Sequence, residues 1–214
     1  DYLYRQHKDW DFEKWVFVEG ADRIYADTNP DMVTKDGLSV DGTSEYLREL
    51  SIQDPRVIYI PHGFSNHPDP AQQKMESRNR YLHIANGLKP TFIFVLDADE
   101  FLTHQHQGQV VKMMELAPKG MNAFMFGLRS IWRPPCIAHL PLFKYEAVGC
   151  LWSVPICRGW RWIEGMRYTL NHNTPSTPTG VTLLTRDTTM RFMTWPGTPQ
   201  TIHMGYTSSL HSRL

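Results

Sequence analysis

Cysteine is scarce in this chain: Cys136, Cys150 and Cys157 are the only three in 214 residues. Their number and irregular spacing exclude a disulfide framework, and the lack of a C-x-x-C pair removes the usual zinc pattern. A reducing, cytoplasmic setting is the expectation. Nowhere do about 18 apolar residues run uninterrupted, and the opening DYLYRQHKDW has no apolar signal-peptide core, so a soluble chain with no transmembrane segment is expected. Charge of one sign is also lacking. The 22 basic and 22 acidic residues cancel, which leaves no global field to attract nucleic acid or an anionic membrane. The chain shows no internal repeat, no low-complexity segment and no Gly-rich phosphate loop. It begins without Met, and a trimmed N-terminus is expected.

What is present is enough apolar sequence for one core, and a single domain over residues 1–214 is expected. Trp15 to Val18 (WVFV) and Val57 to Ile60 (VIYI) are short apolar runs closed by Glu19-Gly20 and Pro61-His62-Gly63, the pattern of buried parallel strands. Between them, DGTSEYLREL carries Asp41 in helix-capping position with Tyr46, Leu47 and Leu50 at helical spacing. Asp69-Pro70 opens a second helix, with Met75, Leu82 and Ala85 on one face and a stop at Gly87. Alternating strands and helices over residues 15 to 101 imply an α/β doubly wound half. The remainder is of another character. A helix near Gln109 to Leu116 and a strand over Asn122 to Trp132 precede a Pro- and Trp-rich stretch of short extended pieces, with NTPSTPTG as a loop.

The stretch that carries chemistry is TFIFVLDADEFL, residues 91 to 102, where an apolar strand runs into Asp97, Asp99 and Glu100. Ligands of open parallel sheets bind beyond the carboxyl ends of the strands. Acids brought together unpaired raise one another's pKa values, so a positive partner is expected. A hard divalent cation, Mg²⁺ or Mn²⁺, suits oxygen donors and bridges to phosphates. The competing reading makes one or two of these acids helix caps and leaves the rest solvated.

VLDADEF resembles the D-x-D region of GT-A glycosyltransferases, in particular their family 2-like group. Two further segments match in the same order: SVDGTSEYL (Ser39 to Leu47) is similar to that group's S-x-D-G-T-x-E-x-L, and KMESRNRYLHIANG (Lys74 to Gly87) to its K-x-x-x-R-N-x-x-L-x-x-A-x-G helix. The resemblance covers residues 10 to 102 and is patchy beyond. It implies a GT-A type, Rossmann-like and mostly parallel sheet flanked by helices. Residues 1–102 would form the nucleotide-sugar-binding half and 103–214 an irregular, β-rich acceptor half. It also implies that Asp97 contacts the nucleotide ribose and the metal, that Asp99 is the more direct metal ligand, and that Glu19 recognises the base. The segment from Gly20 to Val40 departs from the pattern, since compact members have only a few residues there. Asp41 is therefore either a nucleotide contact or a helix cap. Arg78 is placed to reach the diphosphate, because a guanidinium matches phosphate oxygens bidentately.

In the second half, ICRGWRWIEGMRYTLNHNTP loosely resembles the segment that precedes the group's V-H-E, with His172 in the histidine place and Asn173 where the acid would stand. Two candidates for the base follow. Glu164 lies in sequence near Trp160 and Trp162, whose apolar faces would raise its pKa, and His172 titrates in a suitable range unaided. An ion pair of Glu164 with Arg161 or Arg167, and a hydrogen-bonded loop role for His172, are the competing readings. The histidine many GT-A enzymes supply near the C-terminus as a third metal ligand corresponds to His203, with His211 as second choice. Trp132, Trp152, Trp160, Trp162 and Trp195 are core residues or a sugar platform.

The implied activity is metal-dependent transfer, with inversion, from a nucleoside-diphosphate sugar, most commonly a UDP-sugar, to a hydroxyl of an acceptor. That acceptor is a glycan, protein, lipid or modified nucleic acid. Two other classes stay open: a sugar nucleotidyltransferase, which releases pyrophosphate, and a non-catalytic nucleotide- or carbohydrate-binding module, which binds without turnover.

Overall fold

In the computed structural model the two early apolar runs become β1 (Trp15–Glu19) and β2 (Val57–Pro61). They pair in parallel, with Trp15 opposite Val57 and Glu19 opposite Pro61. The residues described are 2–65, 67–98, 100–102, 104–117, 122–131, 156–169, 175–176 and 200–204. The chain divides into two compact units that alternate along the sequence: Asp11–Thr91 with Trp162–Thr188, and Tyr2–Trp10 with Phe92–Arg161 and Thr189–Leu214. It therefore passes from one unit to the other after Thr91 and back after Arg161.

Parallel strands need a crossover, and in the first unit α3 (Thr43–Gln53) supplies it. Its buried residues Ser44, Leu47 and Leu50 recur every three positions, one face of a helix. Before it come α2 (Arg23–Thr28), capped by the Asp22 side chain, which accepts the Tyr25 N–H at 2.7 Å, and a 3-10 turn at Pro30–Met32. Helix α4 (Pro70–Leu88) starts as its sequence implies, with Asp69 accepting the Ala71 N–H at 2.8 Å and Pro70 at the first position. It does not stop at Gly87. Lys89 ends it, adopting φ 49° so that its N–H reaches the Ala85 carbonyl at 2.8 Å. Met75, Leu82 and Ala85 are buried as expected, together with Gln73 and Arg78. Asn79 of α4 holds a distant segment: its amide donates to the Tyr168 carbonyl at 2.9 Å and accepts the Tyr168 N–H at 2.7 Å.

The second unit carries a five-stranded sheet in the order β3-β6-β5-β7-β4. Its strands are β3 (Phe92–Phe94), β4 (Glu100–Leu102), β5 (Ala123–Ile131), β6 (Ile156–Arg161) and β7 (Gln200–Met204). Only the β5–β7 pair is parallel. This corrects the expectation of one mostly parallel sheet running through the D-x-D strand: β3 pairs antiparallel with β6, and the purely parallel sheet is limited to β1 and β2. An apolar run shows that a strand is buried, but its direction and neighbour depend on which ladder satisfies its N–H and C=O groups. The fold observed is mixed α/β, with one small parallel sheet and one largely antiparallel sheet.

Phe124, Leu102, Val110 and Trp160 make the centre of this unit, each 1% exposed or less. Burying a side chain such as Phe124 or Leu102 contributes roughly 1.5–3 kcal/mol. Helix α5 (His104–Glu115) adds Met113 and Met114 to the same core. Gly159 makes room for Met114 and Phe124, since a Cβ there would stand 2.3 Å from the Met114 methyl and 3.2 Å from Phe124 Cβ. The short α1 (Tyr2–His7) belongs here too. Fully buried His7 spans two backbone groups: Nδ1 bonds the Leu3 carbonyl at 2.7 Å and Nε2 accepts the Leu102 N–H at 3.0 Å. Replacing His7 by alanine leaves that buried N–H without its acceptor. His7→Ala should lower stability by at least about 1–3 kcal/mol, read as a reduced thermal midpoint; an unchanged midpoint would contradict the docking of α1 on β4.

Candidate functional site

In the first unit, polar groups gather at the carboxyl ends of β1 and β2. Glu19, the last residue of β1, is 8% exposed. Its carboxylate accepts the Ser39 N–H at 2.9 Å, the Ser44 hydroxyl at 2.9 Å and the Tyr59 hydroxyl. Within the protein, Glu19 has a structural role. One carboxylate ties β1 to β2, to the first turn of α3 and to the start of the S-V-D-G-T segment. Burial by itself would raise its pKa, but the hydrogen bonds from Tyr59, Ser39 and Ser44 outweigh it and hold the carboxyl below its usual value. The same bond, after burial, raises the Tyr59 phenol.

The Gly20 to Val40 departure is folded against these strand ends by backbone bonds, Ala21 N–H to the Gly37 carbonyl at 3.0 Å and Phe64 N–H to the Asp36 carbonyl at 3.1 Å. The approach requires glycine twice. A Cβ on Gly20 would meet the Gly63 carbonyl at 2.3 Å, and Gly37, at φ 84°, would place one 2.5 Å from the Phe64 nitrogen. Asp41 is exposed and accepts the Thr43 N–H at 3.0 Å, just before Gly42, the residue in N-cap position. Hydrogen bonds from Thr43 hold its carboxyl low. His62, just past β2, accepts from Arg80 Nε at 3.2 Å, and burial followed by the Arg80 charge keeps its pKa below the ordinary value. Arg78 is 5% exposed, with its guanidinium 5.8 Å from the centre of the Tyr168 ring. It is one of the buried residues of α4.

In the second unit the D-A-D-E turn links β3 to β4. Asp97 has a third of its side chain exposed, whereas Glu100 is 2% exposed. The turn closes on itself, with the Glu100 N–H donating to the Asp97 carbonyl at 2.9 Å and the Asp97 N–H to Glu100 Oε2 at 3.2 Å. Across from it, Arg158 of β6 donates from Nε to Glu100 Oε2 at 2.8 Å and from Nη2 to Asp97 Oδ2 at 3.0 Å and to Glu100 Oε1. The positive partner that the clustered acids demand is thus supplied in part by the protein. Strand register sets His203 of β7 opposite Glu100 of β4 and opposite Ser130 of β5, so the backbone carrying the candidate third ligand runs beside the turn. Asp99, His172 and His211 lie outside the described residues.

Among the described residues no group of three His, Cys, Asp or Glu side chains forms a metal cage. The donor chemistry of the turn nevertheless suits a hard cation: Asp97 presents a part-exposed carboxylate at a strand end, and carboxylate oxygen is the ligand Mg²⁺ and Mn²⁺ take. Glu164 is exposed and, among the described residues, makes no ion pair with Arg161 or Arg167. The apolar enclosure expected for it is also missing, because Trp160 is spent on the core of β6.

Sequence reading missed Arg158. The signal was present in ICRGWRW, where residues 158 and 160 alternate onto one face of a strand. An arginine sharing a face with a core tryptophan requires a buried acid. Comparison with family models, with curated proteins and with solved structures finds no match to this chain.

Glu19 yields a prediction with a definite sign. A carboxyl whose folded pKa is depressed adds stability above its unfolded pKa of about 4.3, and that stability is lost as pH falls through the lower folded value. Glu19→Gln should cost about 1–3 kcal/mol at pH 7 and flatten the loss of stability between about pH 5 and 3, measured by urea unfolding across that range. Equal stability of variant and parent at pH 7 would show that the buried carboxylate holds nothing in place.

Proposed function

We propose that the chain is a metal-dependent glycosyltransferase that uses a nucleoside-diphosphate sugar as donor, a UDP-sugar in the first instance. The observation that carries the reading is the D-A-D-E turn. One acid, Asp97, stands part-exposed at a strand end while the neighbouring Glu100 is buried and neutralised by Arg158. The ordered sequence matches at residues 39–47, 74–87 and 95–101 supply the chemical context.

In this proposal Asp97 and Asp99 hold a divalent cation, Mn²⁺ or Mg²⁺, with His203 as third protein ligand. The bound cation would supply Lewis-acid neutralisation of the diphosphate leaving group, worth several kcal/mol in such sites. Asp97 also orients the ribose. Glu19 acts at one remove by ordering Ser39 and the start of α3, beside Asp41 and Thr43. His172 takes the acceptor proton. Glu164, the other candidate base, is exposed. The acceptor class, whether glycan, protein, lipid or modified nucleic acid, belongs to the second half of the chain.

Thermal stability against a panel of nucleoside diphosphates, each with Mn²⁺, Mg²⁺ or chelator, tests the reading. One nucleotide at about 100 times its Kd should stabilise by roughly 2.7 kcal/mol, only with metal present. Asp99→Asn should fold normally and lose that shift. If no nucleotide moves the midpoint under any metal condition, the glycosyltransferase reading fails.

A further inference from the structure

The two described carboxylates of the D-A-D-E turn, Asp97 and Glu100, differ in exposure, and the difference traces to a single side chain. Arg158 is 6% exposed and approaches from β6, a strand that pairs directly with β3. The Val95 N–H donates to the Arg158 carbonyl at 2.7 Å, so backbone and side chain of this one residue both grip the approach to the turn. Its guanidinium has a fixed planar fork. Two N–H groups close on Glu100, and Nη2 reaches on to Asp97 Oδ2 at 3.0 Å. Glu100 in turn accepts the Asp97 backbone N–H at 3.2 Å.

From this geometry we infer that Arg158 is the positioning residue of the metal-binding turn, acting through Glu100 and Asp97 while Glu100 itself is not a ligand. The inference rests on the metal-dependent reading above. Glu100 is sealed from solvent and its oxygens are engaged by Arg158 and by the turn, so it is withdrawn from any cation arriving from water. What it does is lock the turn, and Arg158 sets the direction of the Asp97 carboxylate from the other side.

Two effects of Arg158 on a cation at Asp97 oppose each other. Its positive charge repels the cation, while its hydrogen bonds preorganise the ligand. The repulsion is not screened away, because the guanidinium is buried and bonded to Asp97 at 3.0 Å; Arg158→Lys keeps that charge, so a weaker Kd there reads the loss of preorganisation alone. Removing the outer-shell hydrogen-bond partner of a metal ligand typically weakens affinity by about 10- to 100-fold.

The test is the Kd for Mn²⁺ alone, by calorimetric titration of the 214-residue chain, at a temperature well below each variant's unfolding midpoint. Arg158→Lys keeps the charge that Glu100 needs but loses the fork, and should weaken Mn²⁺ about tenfold. Arg158→Met paired with Glu100→Gln removes the clamp without stranding a buried charge, and should weaken it further. Arg161→Met, on the same strand with its guanidinium 4.7 Å from the Phe92 ring centre, should leave Kd unchanged. Because the lysine variant keeps the ion pair, it carries the test if the double variant does not fold. Unchanged or tighter Mn²⁺ binding in the folded Arg158 variants overturns the positioning role alone, and so does an equal loss in Arg161→Met. If the parent chain binds no Mn²⁺, the metal reading fails and this inference falls with it.

Discussion

Glu100, at the start of β4, is 2% exposed, and the charge of so buried a carboxylate is well compensated by a cation in hydrogen-bond contact. Arg158 is that cation, and much of the second unit follows from bringing it there. β6 must run beside β3, which it does antiparallel, with Gly159 opposite Phe94 and Val95 bonded to the Arg158 carbonyl. The same strand must present Trp160 to the core on the face it shares with Arg158, and Gly159 between them lets Phe124 and Met114 pack close. Breaking a buried pair of this kind by removing one partner costs about 3–5 kcal/mol. The clamp also explains why adjacent acids in one short motif differ. Asp97 keeps contact with water while Glu100 has none.

The first unit solves a related problem with neutral donors. Glu19 is buried at the end of β1 without an arginine, and hydroxyls and a backbone N–H stabilise its charge instead. These donors come from β2, from α3 and from the segment that leads into α3, so a single carboxylate fixes the geometry of the strand ends. The inserted stretch before Ser39 is drawn over those ends by backbone bonds and by two glycines that permit contact distances no side chain would allow. An acid that the motif comparison casts as a nucleotide contact thus acts as the keystone of the loop next to the motif.

Local features were legible in the sequence to the extent that they depend on near neighbours. The β1 and β2 runs, the Asp69-Pro70 helix start and the buried stripe of α4 all appear where periodicity and capping place them. The strand expected over Asn122 to Trp132 is observed as Ala123–Ile131. Boundaries failed where the outcome hung on the next few residues. α4 ran past Gly87 because Lys89 accepted a left-handed conformation, and Asp41 fell one place before the N-cap. Glu164 owed its candidacy to nearby tryptophans, yet it stands exposed while Trp160 is interior. Arg78 was picked as a reaching cation and is buried under Tyr168.

By itself the sequence determined that carboxylates follow the apolar strand runs, Glu19 at the end of β1 and Asp97 beyond β3, but not whether each would meet water, since Glu19 and Glu100 are buried and Asp97 is part-exposed. It determined the crossover helix and the parallel sense of β1 and β2, since the residues between them are too many for a hairpin and patterned for a helix. Only the tertiary structure decided which partner each acid has. Arg158 lies 58 residues from Glu100 in sequence and Ser44 lies 25 from Glu19. The pairing of β3 with β6, and of β4 with β7, was decided at the same level. A buried charge constrains the type of its counter-group and not its address, and hydrogen bonds between strands read backbone geometry, which every residue shares.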